Sequence, residues 1–408
     1  MSSVSVTVRR LREVMEEFST YSVPVTVQEF FAEAEPSSDI FVVTGTSGGD
    51  GGIVELVGLM GDHGLRFYRS EESGRSLGPD GLLSRDDLVI LKVNSQWDER
   101  GGTNSDLLKA LIRMILNHPD GFVGEIVVAD NGQAQFGAKG NGGSFSWERN
   151  NAEDPSQSIE RVVDSYSASH RVSAYLWDHI TTRRVREYSE GDLEDGFVVE
   201  DLENPRTGIR VSYPKFRTRY GTYVSFKLGV WDPERGVYDG ERVKVLNIPV
   251  LKSHRIFGVT ASVKNYMGVT SDKLTAQLGV RAHSTVGSGG MGTQMVETRF
   301  PTLNILDAIW VNANPLGGPR TTYNAATRVN IIASSRDPVA LDYWAAKHIL
   351  IPAARLKGFR DTSSMDPDNR AKGSFGDWLR LSMEEMIRAG IQATMDEAHM
   401  NVYVASLG

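Results

Sequence analysis

The sequence predicts an α/β fold: a sheet built from βαβ units and flanked by helices, with an inserted α+β subdomain. Strand-like apolar runs alternate with segments of helical period, the first observation behind that expectation. The second is that the alternation resumes late in the chain after an interruption. The third is the texture of the interruption, where glycine, asparagine, serine and short β-like runs replace the alternating pattern. The implied divisions are residues 1–134 as the first part of the α/β core, 135–240 as an insertion or partly β subdomain, and 241–408 as the second part of the core.

In chain order, residues 5–18 and 26–35 read as amphipathic helices. Ile40–Thr44 is a short buried strand, followed by the glycine-rich loop Gly45–Gly52 and a helical Ile53–Met60. Leu88–Val93 reads as a second strand, Ser105–Asn117 as a helix and Glu125–Ala129 as a third strand, together a βαβ unit. Residues 135–150 read as a mobile loop, Ile159–Tyr166 as a helix, and Gly208–Ser212 and Thr222–Phe226 as β-like runs. The core pattern returns with the apolar run Val243–Leu251, a helical Leu303–Val311, a strand Arg328–Ala333 and a helix Pro338–Ile349. A helix Phe375–Ala389 and the strand-like Met400–Ala405 complete it.

Composition narrows the function classes. The chain of 408 residues has room for two ordinary domains, or one large domain with an insertion. A net charge of −8 argues against a nucleic-acid surface. With no cysteine, disulfides, thiolate zinc sites, a cysteine nucleophile and cysteine-ligated iron–sulfur clusters are all excluded. No apolar run approaches the ~20 residues of a membrane span, and the first residues lack the apolar core of a signal peptide. The expectation is a soluble cytoplasmic protein that binds neither nucleic acid nor membrane and can form a homo-oligomer.

The chemistry concentrates where apolar runs end. Val243–Leu251 stops abruptly at Lys252 and His254, and Lys264, Asn265 and Gly268 follow in a helical segment. Ligands of α/β folds dock at the carboxyl ends of strands, so charged groups there are expected to bind something. Lys252 and His254 share one side of their strand, where the ammonium should hold the imidazole neutral. Lys92 interrupts an otherwise apolar strand, with Asn94 on the same side. Thr103 or Ser105 is the expected N-cap of the next helix. Arg281 and His283 lie in the glycine-rich stretch Gly279–Gly292, which reads as an active-site loop or lid, and Gly317 and Gly318 can supply open backbone donors. Asp337 suits an N-cap, whereas Asp307 and Asp342, inside apolar segments, call for partners such as lysines. The loop Gly45–Gly52 offers a possible anion cradle without the P-loop ending, and His63 could stand at the same edge.

These motifs resemble, in order, those of the domain of unknown function 362 family. They are Leu91–Asn94, Thr103–Asp106, Asn247–His254, Val263–Gly268, Arg281 with His283, Leu306–Ile309, Gly317–Pro319 and Ser335–Asp342. The resemblance covers roughly residues 40–130 and 243–350, and its most specific part is the Lys-x-His with the later Lys-Asn pair. It implies a prokaryotic protein with an α/β fold and a shared polar cleft, and no defined reaction. Some members are fused to ferredoxin-like modules; this cysteine-free chain departs from them, and no iron–sulfur cluster is expected.

A cleft with three lysines, an arginine and two histidines suits a small anionic metabolite. The leading expectation is a metal-free enzyme of isomerase, epimerase or lyase type that moves a proton next to a carbonyl or carboxylate. Lys252, His254 and Lys264 are its catalytic candidates. Lys92, Asn94, Asn265, Arg281, His283, Gly317 and Gly318 are its substrate-binding candidates. One alternative is a metal-dependent hydrolase or oxygen-using enzyme with His254, His283 and an aspartate such as Asp307 as ligands. Another is a non-enzymatic anion-binding protein. No resident cofactor follows from the sequence.

Overall fold

A computed structural model describes residues 37–135 and 142–408. The helices expected at 5–18 and 26–35, and residues 136–141 of the glycine-rich stretch, lie outside the described residues. The first half of the fold runs β1 (Ser38–Thr44), α1 (Gly52–Asp62), β2 (Leu88–Lys92), α2 (Ser105–Leu116), β3 (Glu125–Asp130), α3 (Ile159–Ser167) and β4 (Val172–Leu176). A separate five-stranded antiparallel sheet follows, made of β5 (Gly196–Val199), β6 (Ser212–Arg217), β7 (Tyr223–Ser225), β8 (Gly229–Asp232) and β9 (Val237–Asp239). The chain then returns through β10 (Val243–Asn247), β11 (Val250–His254), β12 (Gly258–Thr260), α4 (Ser262–Asn265), α5 (Asp272–Gln277) and α6 (Gly290–Glu297). It ends with β13 (Leu303–Asn312), β14 (Thr327–Ser335), α7 (Pro338–Ala345), α8 (Ile351–Leu356), α9 (Phe375–Arg388) and β15 (Met400–Ser406).

The main sheet has the order β15-β1-β14-β13-β10-β2-β3-β4, with β11 and β12 attached beside β13. Within that order every pairing is parallel except those of β14. Both faces are covered, which is why the strands read as continuous apolar runs. Side chains alternate between two cores: Val89, Leu91, Ile126 and Val128 pack with Leu56, Leu107 and Val162 of α1 to α3. Leu88, Ile90 and Val127 face the other way, toward a core shared with Phe197 and Phe216 of the small sheet and Met291 and Trp378 of α6 and α9.

Several expectations change against this architecture. Leu303–Val311 is not a helix but the long central strand β13, paired antiparallel to β14 and parallel to β10 and β11. Neighbours on both edges and cover on both faces leave it buried along nearly its whole length, so it lacks a period that separates strand from helix. Val243–Leu251 is two strands rather than one, broken at Ile248 and Pro249. Proline has no N–H for the ladder, and its carbonyl instead accepts from Asp307 N–H as the strand moves over to β13. Within 135–240, α3 and β4 extend the main sheet, and the small sheet occupies Gly196–Asp239. The strand read at Gly208–Ser212 begins only at Ser212. Gly279–Gly292 is a 3-10 turn over Ala282–Ser288 followed by the start of α6, not an open lid. Among the described residues, no helix is long and apolar enough to cross a membrane.

The caps follow side-chain chemistry. Asn104, between the two expected candidates, caps α2 by accepting from Asp106 and Leu107 N–H. Asp337 caps α7 as expected, accepting from Val339 N–H at 2.8 Å and Ala340 N–H at 3.0 Å. Its other oxygen accepts from Ser38 Oγ at 2.7 Å and Thr394 N–H at 2.8 Å, which joins α7 to the start of β1 and to the segment before β15. Asp337→Ala should therefore cost about 2–3 kcal/mol in urea unfolding, above the ~1 kcal/mol of an ordinary cap; a loss within 0.5 kcal/mol, the usual scatter of surface substitutions, would show that the cap joins nothing.

Candidate functional site

The chain runs outward from β2 to β3 and β4, then returns to place β10 on the other side of β2. That reversal makes a crevice beyond the carboxyl ends of β2 and β10, the place where open α/β sheets bind ligands. A cleft of about 560 Å³ opens there, lined among others by Asn94, Asp130, Lys252, His254, Thr260, Lys264, Asn265, Arg281 and His283. Sequence positions 94 to 283 thus converge because parallel strands deliver their carboxyl ends to one side.

Beneath the cleft a chain of buried amides crosses the sheet. Lys252 Nζ donates to Asn94 Oδ1 at 3.1 Å, and Asn94 Nδ2 donates to Asn265 Oδ1 at 3.0 Å. Asn265 Nδ2 donates to Asn247 Oδ1 at 2.8 Å, and Asn247 Nδ2 to Asn304 Oδ1 at 2.9 Å. Asn304 Nδ2 ends on the Ser335 carbonyl. The direction is forced, because backbone carbonyls can only accept. Ser335 O fixes Asn304, Ser262 O fixes Asn247, and Lys92 O fixes Asn265. Each amide must then present oxygen to the previous one, so Asn94 presents an acceptor to Lys252. Thr103 secures the same loop, its Oγ1 accepting from Asn94 N–H and donating to Ile248 O.

Lys252 has a second acceptor, the Gly101 carbonyl. Burial pushes its ammonium down to about 7, helped by the charge of Lys264; burial likewise takes Lys264 down to about 8. Among the described residues, Lys264 Nζ has no hydrogen-bond or ion-pair partner; it lies 5.5 Å from the centre of the Phe257 ring. Two further cations are paired. Lys92, fully buried, sits 2.8 Å from Asp130 Oδ1, and Arg281 Nε donates to Asp272 Oδ2 at 2.9 Å.

Both imidazoles are held neutral. His254 lies far below its ordinary value through burial and then through Lys264, and the same two causes take His283 to about 4. The rings approach to 5.9 Å between centres. His254 Nδ1 accepts from Ile256 and Phe257 N–H, both at 3.2 Å, in the tight turn between β11 and β12. The ring proton therefore resides on Nε2, and His254 is a hydrogen-bond donor toward its surroundings.

Asn94, Lys252, His254, Lys264, Asn265, Arg281 and His283 are brought to one cleft, as lining residues. Lys92 lies under its floor against Asp130, and Gly268 covers that pair. A Cβ at Gly268 would stand 1.9 Å from Asp130 Oδ1 and 2.6 Å from Lys92 Nζ, so only glycine permits this approach. Gly317 and Gly318 do not line the cleft; Gly318 rests on the Ser253 carbonyl, and Pro319 reaches the wall instead. Asp307 and Asp342 are partnered mainly by backbone amides rather than lysines. Asp307 accepts from Asn104 and Ile309 N–H, and Asp342 from Ser262 and Val263 N–H at the start of α4. His254, His283 and Asp307 form no metal cluster, nor does any group of three such side chains among the described residues. The glycine-rich loop holds its own anion: the Asp50 carboxylate accepts from Ser47 and Gly52 N–H and from the Thr46 and Ser47 hydroxyls. His63 caps the far end of α1 and stacks on Tyr403 at 3.6 Å.

Sequence reasoning missed Asp130, Asn247, Thr260, Asp272 and Asn304. Asp130 carried the same signal as Lys92, a charge closing a buried strand.

Residues 241–347, from β10 into the turn that follows α7, match the family described as Domain of unknown function (DUF362). The stretch is a DUF362 domain. It contains Lys252, His254, Lys264, Asn265, Arg281 and His283, together with Asn247 and Asn304 of the amide chain. Asn94, Gly101 and Asp130 reach the same cleft from outside it. No curated protein and no solved structure matches the chain.

The amide chain makes a stability prediction. Asn247→Leu adds apolar surface but strips partners from Asn265, Asn304 and Ser262 O, and should cost about 2–4 kcal/mol. Urea unfolding measures it; a variant as stable as the parent would mean the amides are not coupled.

Proposed function

We propose that the protein is an enzyme that removes a proton from a carbon next to the carbonyl or carboxylate of a small anionic substrate. The observation that carries this reading is the state of Lys252. Its amine is buried, has two acceptors and, among the described residues, no carboxylate partner, and burial brings it down to about 7. An amine whose two N–H groups point at Asn94 Oδ1 and Gly101 O has one position left, and in the neutral form that position is a lone pair. Lys252 is the base. An enolate formed beside it meets the Lys264 ammonium and the Nε2–H of His254, donors that need no rearrangement. The abstracted proton rests on Lys252, which returns it to the same or a neighbouring carbon or gives it to a leaving group, so isomerase, epimerase and lyase outcomes all follow from this one step. His283, neutral and beside His254, lines the same wall. Arg281, pinned by Asp272, shapes the rim.

The test is deuterium incorporation from D2O into 2-oxo, 3-oxo and 2-hydroxy carboxylates, followed by proton NMR. The parent protein should wash deuterium into one class, and Lys252→Met should slow it about 10²–10⁴-fold. Exchange that survives Lys252→Met at the parent rate removes the lysine base.

The same roles fix a pH dependence. As pH rises through about 7, Lys252 loses its proton and kcat/KM should rise. Above about 8, Lys264 loses the charge that holds the enolate and kcat/KM should fall. The two limbs belong to the interacting pair, and Lys264→Met should abolish the alkaline limb. A profile flat from pH 6 to pH 9, a span that brackets both, contradicts the assignment.

A further inference from the structure

Among the described residues, three polar groups in the wall of the cleft have no partner. Lys264 is 7% exposed, and its ammonium has no hydrogen bond or ion pair among the described residues. Thr260 is 4% exposed, and its Oγ1 is buried without a partner. Trp97 Nε1 is likewise buried and unpartnered. All three residues line the cleft that contains Lys252. Leaving buried polar groups unsatisfied is costly, and a cluster of them in a concave site gives a bound ligand or ordered water partners to complete.

The strand register relates these groups to the reacting amine. In the hairpin of β11 and β12, Lys252 is paired directly with Thr260. Cross-strand partners project to the same face, so the Thr260 hydroxyl stands beside the Lys252 side chain. Lys264 follows one short turn later, on α4, and its charge acts on Lys252, His254 and His283 alike. Asp130 and Asp272, which also line the cleft, are ion-paired with Lys92 and Arg281. Lys273 stands at the rim, half-buried.

We infer that Lys264 and Thr260 form a carboxylate subsite, so that the substrate is a carboxylic acid docked with its C–H carbon toward Lys252. This rests on the proton-transfer reading and adds the class of the substrate. A carboxylate has one charge and two oxygens. One oxygen takes the Lys264 ammonium, and the other takes the Thr260 hydroxyl, with the Trp97 N–H in the same wall. A phosphate dianion needs more charge than one buried ammonium supplies, in a cleft that Asp130 and Asp272 also line.

The test is binding, measured without turnover. Acetate, glycolate and malonate are titrated against inorganic phosphate at pH 7.5 by calorimetry, with the parent protein, Thr260→Val and Thr260→Ser. At least one carboxylate should bind about tenfold tighter than phosphate. Thr260→Val should weaken that carboxylate about tenfold, the worth of one hydrogen bond to a charged group, and Thr260→Ser should restore it. Thr260→Ser also guards against misfolding, because both variants lie in the same hairpin. Phosphate binding tighter than every carboxylate, or a carboxylate affinity unchanged in Thr260→Val, overturns the subsite. Carboxylate binding in a protein that exchanges no deuterium supports the subsite and counts against the proton transfer alone.

Discussion

A hydrogen-bond polarity, set far from the cleft, governs what happens in it. Carbonyls that can only accept hold the far ends of Asn304, Asn247 and Asn265, and the orientation passes amide by amide to Asn94. The result is an oxygen, not an N–H, facing Lys252. Had the amide pointed the other way, a donor would confront a donor, and the buried lysine would lose an acceptor that it cannot replace with water. A network of this kind is worth having only when every member is satisfied, and here each link has its partner. The same links tie the carboxyl ends of β2 and β10 to the amino end of β13, so the sheet and the site share one set of bonds.

The electrostatics divide into two kinds of cation. Lys92 and Arg281 are neutralised by Asp130 and Asp272 and act as scaffolding. Among the described residues, Lys252 and Lys264 have no carboxylate partner, in surroundings dry enough to bring both down toward neutral pH. The protein tolerates that cost at one place only within the cleft, beside two neutral imidazoles. This pair of perturbed lysines is the feature on which the proposed function rests.

Much of this was legible in the sequence, and the failures have physical causes. Lys252, His254 and Lys264 stood out because a charge that ends an apolar run is conspicuous, and the cleft does gather them. Lys92 stood out for the same reason, yet its partner Asp130 closes the neighbouring strand and turns it into support. Asn247 and Asn304 left no such trace, since a single amide in an apolar strand neither breaks the run nor alters its period. Asp342 called for a partner, correctly, but the partner was the amide end of α4, and backbone groups cannot be read from residue identity. The same blindness made β13 look helical, because cover on both faces erases periodicity.

The chemistry of Lys252 also depends on when the chain finishes assembling. Its two acceptors lie 158 and 151 residues earlier in the sequence, outside the DUF362 domain, and its shielding comes from both halves. Contacts of such separation form late, after much of the loop-closure entropy has been overcome. Before then the lysine is an ordinary solvated ammonium with an ordinary lysine pKa. The lowered basicity of Lys252 is thus a property of the assembled chain, absent until the distant halves have docked.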